Sequence, residues 1–270
     1  MFTAKPSARL VLPLGLVLCG CPRVDFGADG EPKSPEELLK RIAVTESSVF
    51  SVKGEAKLRL ESPTQKGVVT LFAAVTHPAF VHLEQLDFFG KPEGVLVSDG
   101  VSFGVFDGKV GKYFHGPASA QAVARILPIA LPPSELAALL LGRAPRIPQD
   151  SAQMRFDPDK SVFLLTLKKG AVTQLLTVPL PTYRVVESRI TGIDAYDLQF
   201  ENIETVGAAT YPRRVVLTAT GSKLRIELNY RDVAVNEPPD LTLYEMIAPA
   251  NVPSVEVDGH GVPRDAAPPG

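Results

Sequence analysis

Polar and apolar residues alternate along most of the chain beyond residue 50. From 52 to 61, Val, Gly, Ala and Leu occupy the even positions, and Lys, Glu and Arg occupy the odd ones. This period of two predicts a strand with one dry and one solvated face. Similar stretches recur as far as a short one over 241–246, with turn signals such as Asp99-Gly100 and Asp107-Gly108 between them. The pattern predicts about a dozen strands joined by short loops.

Three helical segments interrupt this pattern. The first begins at Ser34-Pro35-Glu36-Glu37, where Ser34 is the expected N-cap, Pro35 the first helical residue and Glu37 the end of a capping box. The others are predicted over 119–127 and, after Pro132-Pro133, over 134–141, before Gly142. Short connections favour antiparallel pairing, and so long a sheet has to curl around the apolar faces of the helices. We therefore expect a mainly β (α+β) fold: an incomplete antiparallel β-barrel closed by helices, forming one domain over 34–248.

The N-terminus has the pattern of an export signal. Lys5 and Arg9 precede an apolar run over 10–18, which is shorter than the ~20 residues that span a bilayer. Leu18-Cys19-Gly20-Cys21 resembles a bacterial lipobox. The resemblance implies that residues 1–20 are a lipoprotein signal peptide and that Cys21 is the acylated first residue of the mature protein. Cleavage of an ordinary signal peptide nearby, with Cys21 uninvolved, is the alternative.

The residues that follow predict where the protein is held. Pro22, rather than Asp, follows Cys21. The resemblance to lipoproteins implies that this position favours the outer membrane of a Gram-negative bacterium, with the protein lipid-anchored on its periplasmic face. Residues 21–33 contain Gly27, Gly30 and Pro32 among polar residues, and we expect them to form a flexible tether. Residues 249–270 hold five prolines and little apolar material, so we expect a disordered tail.

Composition excludes several classes of protein. Hydrophobic residues make up 45% of the 270, and the net charge is −2. A nucleic-acid binder normally has a basic surplus, which is missing here. Both cysteines lie in the N-terminal signal, which argues against a disulfide scaffold and a cysteine-rich zinc module.

Two motifs suggest chemistry that their surroundings do not support. Gly100-Val101-Ser102-Phe103-Gly104 matches the hydrolase pattern G-x-S-x-G, but that chemistry needs a strand-to-helix turn, and here the alternation continues as in a strand. His115 and His260 are poorly placed as its partners. His82-x-Glu84 could put two ligands on one strand face, but no third ligand follows at metal spacing. We predict no catalytic residue, no metal and no cofactor.

Two apolar features remain. Phe88 and Phe89 lie in a loop next to Gly90, and an exposed apolar tip often marks a membrane or partner contact. The alternative is that one ring enters the core and the other packs on the loop. The segment over 126–145 is apolar nearly all round. It is either simply buried or closes an apolar cavity.

These features together resemble one family. The lipobox, the capped helix, the Asp-Gly turns, the Leu-Pro-Pro insert ending Leu-Leu-Gly-Arg-Ala-Pro at residue 145, and Tyr211-Pro212-Arg213-Arg214 look like the LolA/LolB-type outer-membrane lipoprotein-sorting family, over about residues 36–247. The resemblance implies a half-barrel with a cavity for acyl chains. The lipid-anchored member, LolB, receives lipoproteins from a soluble carrier and has a protruding apolar loop where this chain has Phe88 and Phe89.

We therefore predict a non-enzymatic, lipid-anchored lipoprotein that binds acyl chains of lipoproteins or lipids and passes them to the outer membrane. Its expected partners are acyl chains or phospholipid, the membrane through Cys21 and through Phe88 and Phe89, and a soluble periplasmic carrier; we expect a monomer. An envelope sensor or a structural lipoprotein that uses the same fold to bind a protein partner is the alternative. The predicted acyl-binding residues are Leu58, Leu60, Leu71, Leu83, Leu96, Phe103, Val105, Leu127, Leu136 and Leu140.

Overall fold

The structure, a computed structural model, describes residues 24–124, 131–193, 195–219 and 221–264. Within these residues the chain forms three α-helices, one 3₁₀ helix and fourteen strands. The helices are α1 (Pro35–Ser47), α2 (Ala120–Val123), α3 (Pro133–Leu140) and the 3₁₀ helix (Leu241–Tyr244). The strands are β1 (Ser51–Glu61), β2 (Lys66–Thr76), β3 (Phe80–Leu86), β4 (Pro92–Ser98), β5 (Ser102–Asp107), β6 (Lys112–Pro117), β7 (Ser151–Asp157), β8 (Val162–Lys169), β9 (Val172–Pro179), β10 (Glu187–Thr191), β11 (Tyr196–Val206), β12 (Ala209–Ala219), β13 (Leu224–Val235) and β14 (Ser254–Glu256).

All fourteen strands belong to one sheet, in the order β14-β6-β5-β4-β3-β2-β1-β13-β12-β11-β10-β9-β8-β7. Neighbours are antiparallel except β14 and β6. The two outermost strands, β14 and β7, do not pair with each other, so the barrel is incomplete. The predicted mainly β fold, an incomplete antiparallel barrel closed by helices, is confirmed. We call the end with the β1–β2, β3–β4 and β5–β6 turns the upper end, and the end with the β2–β3, β4–β5 and β7–β8 turns the lower end.

Helix α1 begins where its capping sequence places it. Ser34 Oγ accepts a hydrogen bond from the Glu37 amide at 3.3 Å, and Glu37 Oε2 accepts one from the Lys33 amide at 2.7 Å. Leu38 and Ile42, one turn apart, are fully buried in the core on the concave side of the sheet. Each such side chain contributes about 1.5–3 kcal/mol when it is buried.

The pattern of β1 shows how the strands fill this core. Ala56, Leu58 and Leu60 are buried, while Lys53 and Arg59 are exposed. Leu58 lies opposite Leu228 of β13 and Val69 of β2. Because side chains alternate across a strand, this register directs the whole apolar set of β1 to the concave face.

Several elements differ from those predicted. α2 ends at Val123, and residues 125–130, including Leu127, lie outside the described residues. Strand β7 was not predicted. The segment over 241–246 is a 3₁₀ helix followed by irregular chain, because Asp240 Oδ1 accepts from the Thr242 amide at 3.1 Å and caps a helical turn. Among the described residues, no helix is both long and apolar enough to cross a membrane.

The predicted disordered tail differs from the structure up to residue 264. Ser254–Glu256 forms β14 beside β6, and the Val257 amide donates to the His115 carbonyl at 2.8 Å. Val257 is fully buried and Val255 packs against the core. These alternating valines supply the apolar face that the proline content obscured. Residues 265–270 lie outside the described part of the chain.

The described part of the predicted flexible tether, residues 24–33, is packed against the barrel. The Phe26 ring lies 5.2 Å from the Phe156 ring, centroid to centroid. Arg41 donates hydrogen bonds to the Phe26 and Asp29 carbonyls. The glycines and proline suggested a free chain, whereas one aromatic side chain and one arginine hold the segment in place.

Candidate functional site

A small cavity lies between α3 and the concave face of the sheet. Its volume is about 60 Å³. Every side chain that lines it is aliphatic, and an apolar cavity of this kind stays free of water. The lining residues are Leu58, Leu71, Leu83, Leu136, Leu139, Leu140, Leu198, Val215, Leu217, Ile226 and Leu228.

Two groups of strands form the walls of the cavity. β1, β2 and β3 supply one leucine each, and β13, β12 and β11, which continue the sheet on the other side of β1, supply the rest of the wall. Val215 pairs with Leu228, and Leu217 pairs with Ile226. Paired residues point to the same face of a sheet, so this register brings four aliphatic side chains together on the concave side.

Helix α3 forms the lid of the cavity. Leu136 and Leu140 are four residues apart and Leu139 is three from Leu136, so the three share one helix face. That face lies on the cavity. Displacing this helix would expose the aliphatic walls.

The C-terminal end of α3 is fastened by buried polar groups. The Tyr211 hydroxyl donates to the Leu140 carbonyl at 2.5 Å, and the Arg184 guanidinium donates to the Gly142 carbonyl at 3.3 Å. Arg143 donates to the Val49 carbonyl. Gly142 has φ +72°, and a Cβ there would lie 2.7 Å from Pro212 Cδ. These contacts fix the point at which the chain leaves the lid.

Charged groups surround the C-terminal end of α3. Glu46 is only 4% exposed, and burial raises the pKa of its carboxyl against the opposing influence of Arg146, whose guanidinium lies 2.9 Å from it. Burial likewise lowers the pKa of Arg143 and of Arg184. Hydrogen bonds and mutual pairing offset part of the cost of burying these groups, which fits a structural role. Within the described structure, Glu46 Oε1 and Arg143 Nε are buried without a hydrogen-bond partner.

The structure separates the predicted acyl-binding residues into two sets. Five of them line the cavity: Leu58, Leu71, Leu83, Leu136 and Leu140. Four others are buried in the same core away from the cavity: Leu60, Leu96, Phe103 and Val105. The tenth, Leu127, lies outside the described residues.

The residues that the sequence reasoning missed lie mainly on the part of the wall formed by β11, β12 and β13. They are Leu139, Leu198, Val215, Leu217, Ile226 and Leu228. All six belong to elements predicted from the sequence, and the alternation of β11–β13 marks five of them as inward. Only the long-range pairing of β1 with β13 shows that the two walls enclose one space.

The β3–β4 turn forms an exposed aromatic tip, Phe88 and Phe89. Their side chains are 97% and 83% exposed, and their rings meet edge to face at 5.5 Å. Asp87 Oδ1 accepts from the amides of Phe89 and Lys91, both at 2.8 Å, and holds the turn in shape. The alternative that one ring enters the core is wrong.

The possible hydrolase site lacks the geometry for catalysis. Ser102 begins strand β5, and no helix follows it. Ser102, His115 and Glu256 do line one outer groove of about 580 Å³. However, the Glu256 carboxylate pairs with Arg264 at 2.5 Å, and no hydrogen bond joins Ser102 Oγ to the His115 ring in the described structure. The serine is therefore a strand residue facing a groove.

The possible metal ligands His82 and Glu84 bind each other. His82 Nε2 lies 2.7 Å from Glu84 Oε1, and Nδ1 lies 2.6 Å from the Leu243 carbonyl oxygen. Both ring nitrogens therefore have oxygen partners. Among the described residues, no group of three or more His, Cys, Asp or Glu side chains could hold a metal ion.

Comparison with known proteins gives structural likenesses only. No family model matches the sequence, and no curated protein matches it. A proposed outer-membrane lipoprotein-sorting protein domain from Vibrio parahaemolyticus superposes with a TM-score of 0.55 at 10% identity, covering 78% of this chain and 97% of that one. A LolA superfamily protein from Nitrosomonas europaea gives 0.51 at 14% identity, covering 79% and 99%. A DUF1329 family protein from Desulfovibrio piger gives 0.58 at 9%, covering 79% and 96%. The chain therefore has a LolA-like fold.

Proposed function

We propose that this protein is a lipid-anchored outer-membrane lipoprotein that binds acyl chains of lipoproteins or lipids under α3 and passes them to the membrane. The wholly aliphatic lining of the space between lid and sheet is the main support for this proposal. The likeness to a lipoprotein-sorting domain agrees with it. The role needs no catalytic group, so we propose that the protein is not an enzyme.

In this proposal the structure corresponds to a closed state of the cavity. Pockets for small ligands usually measure about 300–1,000 Å³, whereas this cavity measures about 60 Å³. An acyl chain could enter only if α3 moved away from the sheet and its leucines left the space that they fill. Each methylene buried there would contribute about 0.8 kcal/mol.

The two other parts of the proposal are the anchor and the tip. Acylated Cys21 would hold the domain at the outer membrane, and Phe88 and Phe89 would touch the bilayer when a chain is released. A soluble periplasmic carrier would supply the cargo. Transfer would need no energy source if the cavity binds the chains better than the carrier does and the bilayer binds them better still.

Binding is tested with the purified mature chain. Mass spectrometry of co-purifying lipids, and titration with a fluorescent fatty acid, should both show a bound acyl chain. Val215→Phe fills the cavity and should weaken probe binding at least tenfold. Val110→Phe makes the same change at an exposed turn and should bind as the wild type does. Thermal unfolding checks that both variants fold. A wild-type chain that binds no acyl probe, or a Val215→Phe variant that binds it normally, would contradict the proposal.

The tip is tested separately by delivery. The double change Phe88→Glu and Phe89→Glu should reduce transfer of a fluorescent lipopeptide to vesicles and leave its binding to the protein intact. Val110→Glu is the matched control, because Val110 lies in the neighbouring β5–β6 turn at the same end of the barrel. Undiminished transfer by the double variant would remove the tip from the mechanism.

A second candidate is a structural or partner-binding lipoprotein with a packed core. The small cavity volume favours it. It predicts that no lipid co-purifies and that the wild-type chain binds no acyl probe, which is the reverse of both expectations above.

A further inference from the structure

A second concave surface lies on the convex side of the sheet, away from the aliphatic cavity. Its floor is the outward face of β5, β6 and β14, and the chain between the 3₁₀ helix and β14 forms one wall through Met246 and Ala248. Its volume of about 580 Å³ falls within the range of about 300–1,000 Å³ that is usual for small-molecule sites. This groove therefore has the dimensions of a binding site.

Alternation along the strands determines which side chains face the groove. Phe103 of β5 and Phe114 of β6 point into the core, and Val255 of β14 packs against it. Because side chains alternate across a strand, the residues on either side of them point outward. At this place β5 presents only Ser102 and Gly104 to the outside. Their small size leaves the space above β5 open.

Ring side chains follow one another along the outward face of β6. The Tyr113 and His115 rings stack with their centroids 5.9 Å apart and their planes inclined by 24°, and Pro117 continues the row. Tyr113 is only 6% exposed, and its hydroxyl lies over Gly104, where a Cβ would be 2.0 Å away. The buried tyrosine thus supports the half-buried ring of His115, which offers an apolar face to the groove.

Polar groups beside this ring are not used by the fold. Among the described residues, neither nitrogen of the His115 ring has a hydrogen-bond partner, whereas both nitrogens of His82 have one. The hydroxyl groups of Ser102 and Ser254 also line the groove, and within the described structure they too bond to no other residue. These donors and acceptors are available to a ligand.

An ion pair borders the groove on the β14 side. The Arg264 guanidinium lies 2.5 Å from the Glu256 carboxylate, and the Arg264 amide donates to the Glu256 carbonyl at 3.0 Å. The two charges offset each other, so the pair attracts neither cations nor anions strongly. It can still exchange hydrogen bonds with a ligand, and bonds that involve charged groups are about twice as strong as neutral ones. The groove therefore favours a neutral ligand that is rich in hydroxyl groups.

We propose that this groove binds a neutral saccharide, with one pyranose ring stacked on His115. A pyranose has a face of C–H groups and a rim of hydroxyls, which matches an apolar ring bordered by polar groups. Its hydroxyls would bond to Ser102, Ser254 and the pair of Glu256 with Arg264. Saccharide binding here is independent of acyl binding, since no residue lines both spaces.

The test is titration of the purified mature chain with neutral trisaccharides. Cellotriose, maltotriose, mannotriose and tri-N-acetylchitotriose are the probes, and binding is followed by calorimetry and by saturation-transfer NMR. We expect saturable binding of at least one probe, with the strongest saturation transfer to the C–H protons of one sugar ring. Failure of every probe to bind would overturn the proposal.

Two variants test whether the sugar lies in the groove. His115→Ala removes the ring and should weaken binding about tenfold, and Ser102→Phe fills the space above β5 and should do the same. His260→Ala and Ser222→Phe make matched changes at exposed turn positions outside the groove and should bind as the wild type does. Thermal unfolding checks that all four variants fold. Undiminished binding by either groove variant would overturn the proposal.

Two further comparisons identify the occupant. Val215→Phe, which fills the aliphatic cavity, should leave saccharide binding unchanged, and His115→Ala should leave binding of the acyl probe unchanged. Loss of saccharide binding in Val215→Phe would place the sugar in the other cavity and overturn the proposal. An extended peptide could also lie along the row of rings. Binding of a proline-rich peptide that His115→Ala abolishes, with no binding of any trisaccharide, would assign the groove to a protein partner instead.

Discussion

The two ends of α3 are held in different ways. At the C-terminal end, carbonyls of Leu140 and Gly142 accept hydrogen bonds from the buried side chains of Tyr211 and Arg184. At the N-terminal end, the cap position is Pro132, whose side chain makes no capping hydrogen bond. Glu135, in the first turn, has no ion pair among the described residues. Among the described residues, the polar contacts that hold α3 are therefore concentrated at its C-terminal end, which we call the fixed end, and we expect the lid to open by rotation about it.

The largest expected effect comes from removing the central group of the fixed end. Arg184 is 2% exposed and donates to Thr210 Oγ1 as well as to two carbonyls. Arg184→Met would leave these acceptors and the Glu46 carboxyl poorly compensated, and we expect a loss of about 3–5 kcal/mol in the free energy of unfolding. Denaturant titration measures it. Arg189→Met removes an exposed ion pair with Asp197 and should change stability little; equal losses would refute the distinction.

Gly142→Ala tests the backbone of the fixed end. A left-handed φ costs a non-glycine residue about 1–3 kcal/mol, and the new Cβ would also meet Pro212. Gly170→Ala is the control, because Gly170 has φ +54° and nothing within 4 Å of the added Cβ. We expect Gly142→Ala to be the more destabilising in thermal unfolding, and the difference measures the contact with Pro212.

Tyr211→Phe removes one hydrogen bond from the fixed end. We expect a loss of about 1 kcal/mol in stability and faster uptake of a fluorescent fatty acid, measured by stopped flow. Tyr244→Phe removes a hydroxyl that bonds Thr76 on the outer side of the sheet. It should cost similar stability without changing uptake. If the two variants took up the probe equally fast, Tyr211 would have no specific role in the lid.

The smallest expected effect is a pH dependence of lid closure caused by Glu135, in the first turn of α3. Burial raises the pKa of Glu135 from 4.5, and the same neighbourhood raises the pKa of Tyr196 to about 12, mainly through burial and secondarily through Glu135. A raised carboxyl pKa means that the closed state binds the proton more tightly. Closure should therefore strengthen as pH falls from 7 towards 4.5 and weaken as pH rises.

The measurement is probe uptake as a function of pH. Wild-type uptake should be slower at pH 5 than at pH 7, whereas Glu135→Gln should be slow and unchanged across this range. Glu36→Gln, at the first turn of α1, should retain the wild-type pH response. A Glu135→Gln variant that responds to pH as the wild type does would exclude this carboxyl as the cause.

Local sequence signals predicted much of the fold. The Ser34 capping box fixed the start of α1, and the alternation in β1 marked Leu58 and Leu60 as inward. Strand β7 carried the same signal in Ala152, Met154 and Phe156, which all pack towards the core. Ser151, Gln153 and Arg155 alternate with them, so the period of two was present and the strand could have been predicted.

Five of the eleven side chains that line the cavity were predicted from the sequence. A single strand shows which side chains are inward but not what they face across the barrel, so Leu60 and Leu96 could not be told apart from Leu58 and Leu83. The buried Glu46 and Arg184 gave no local signal, because each becomes buried only when elements far apart in sequence pack around it.

The sequence by itself determined the strands, the helix starts, the aromatic turn and the aliphatic character of the core, because these follow from the period of apolar residues and from capping and turn chemistry. The tertiary structure decided the rest. It joined the two parts of the cavity wall side by side, fastened one end of α3, and docked Phe26 on the barrel. These features depend on contacts between residues far apart in the sequence, from 42 positions for Arg184 with Gly142 to 170 for Leu58 with Leu228. Local patterns contain no information about which distant strand a given strand will meet.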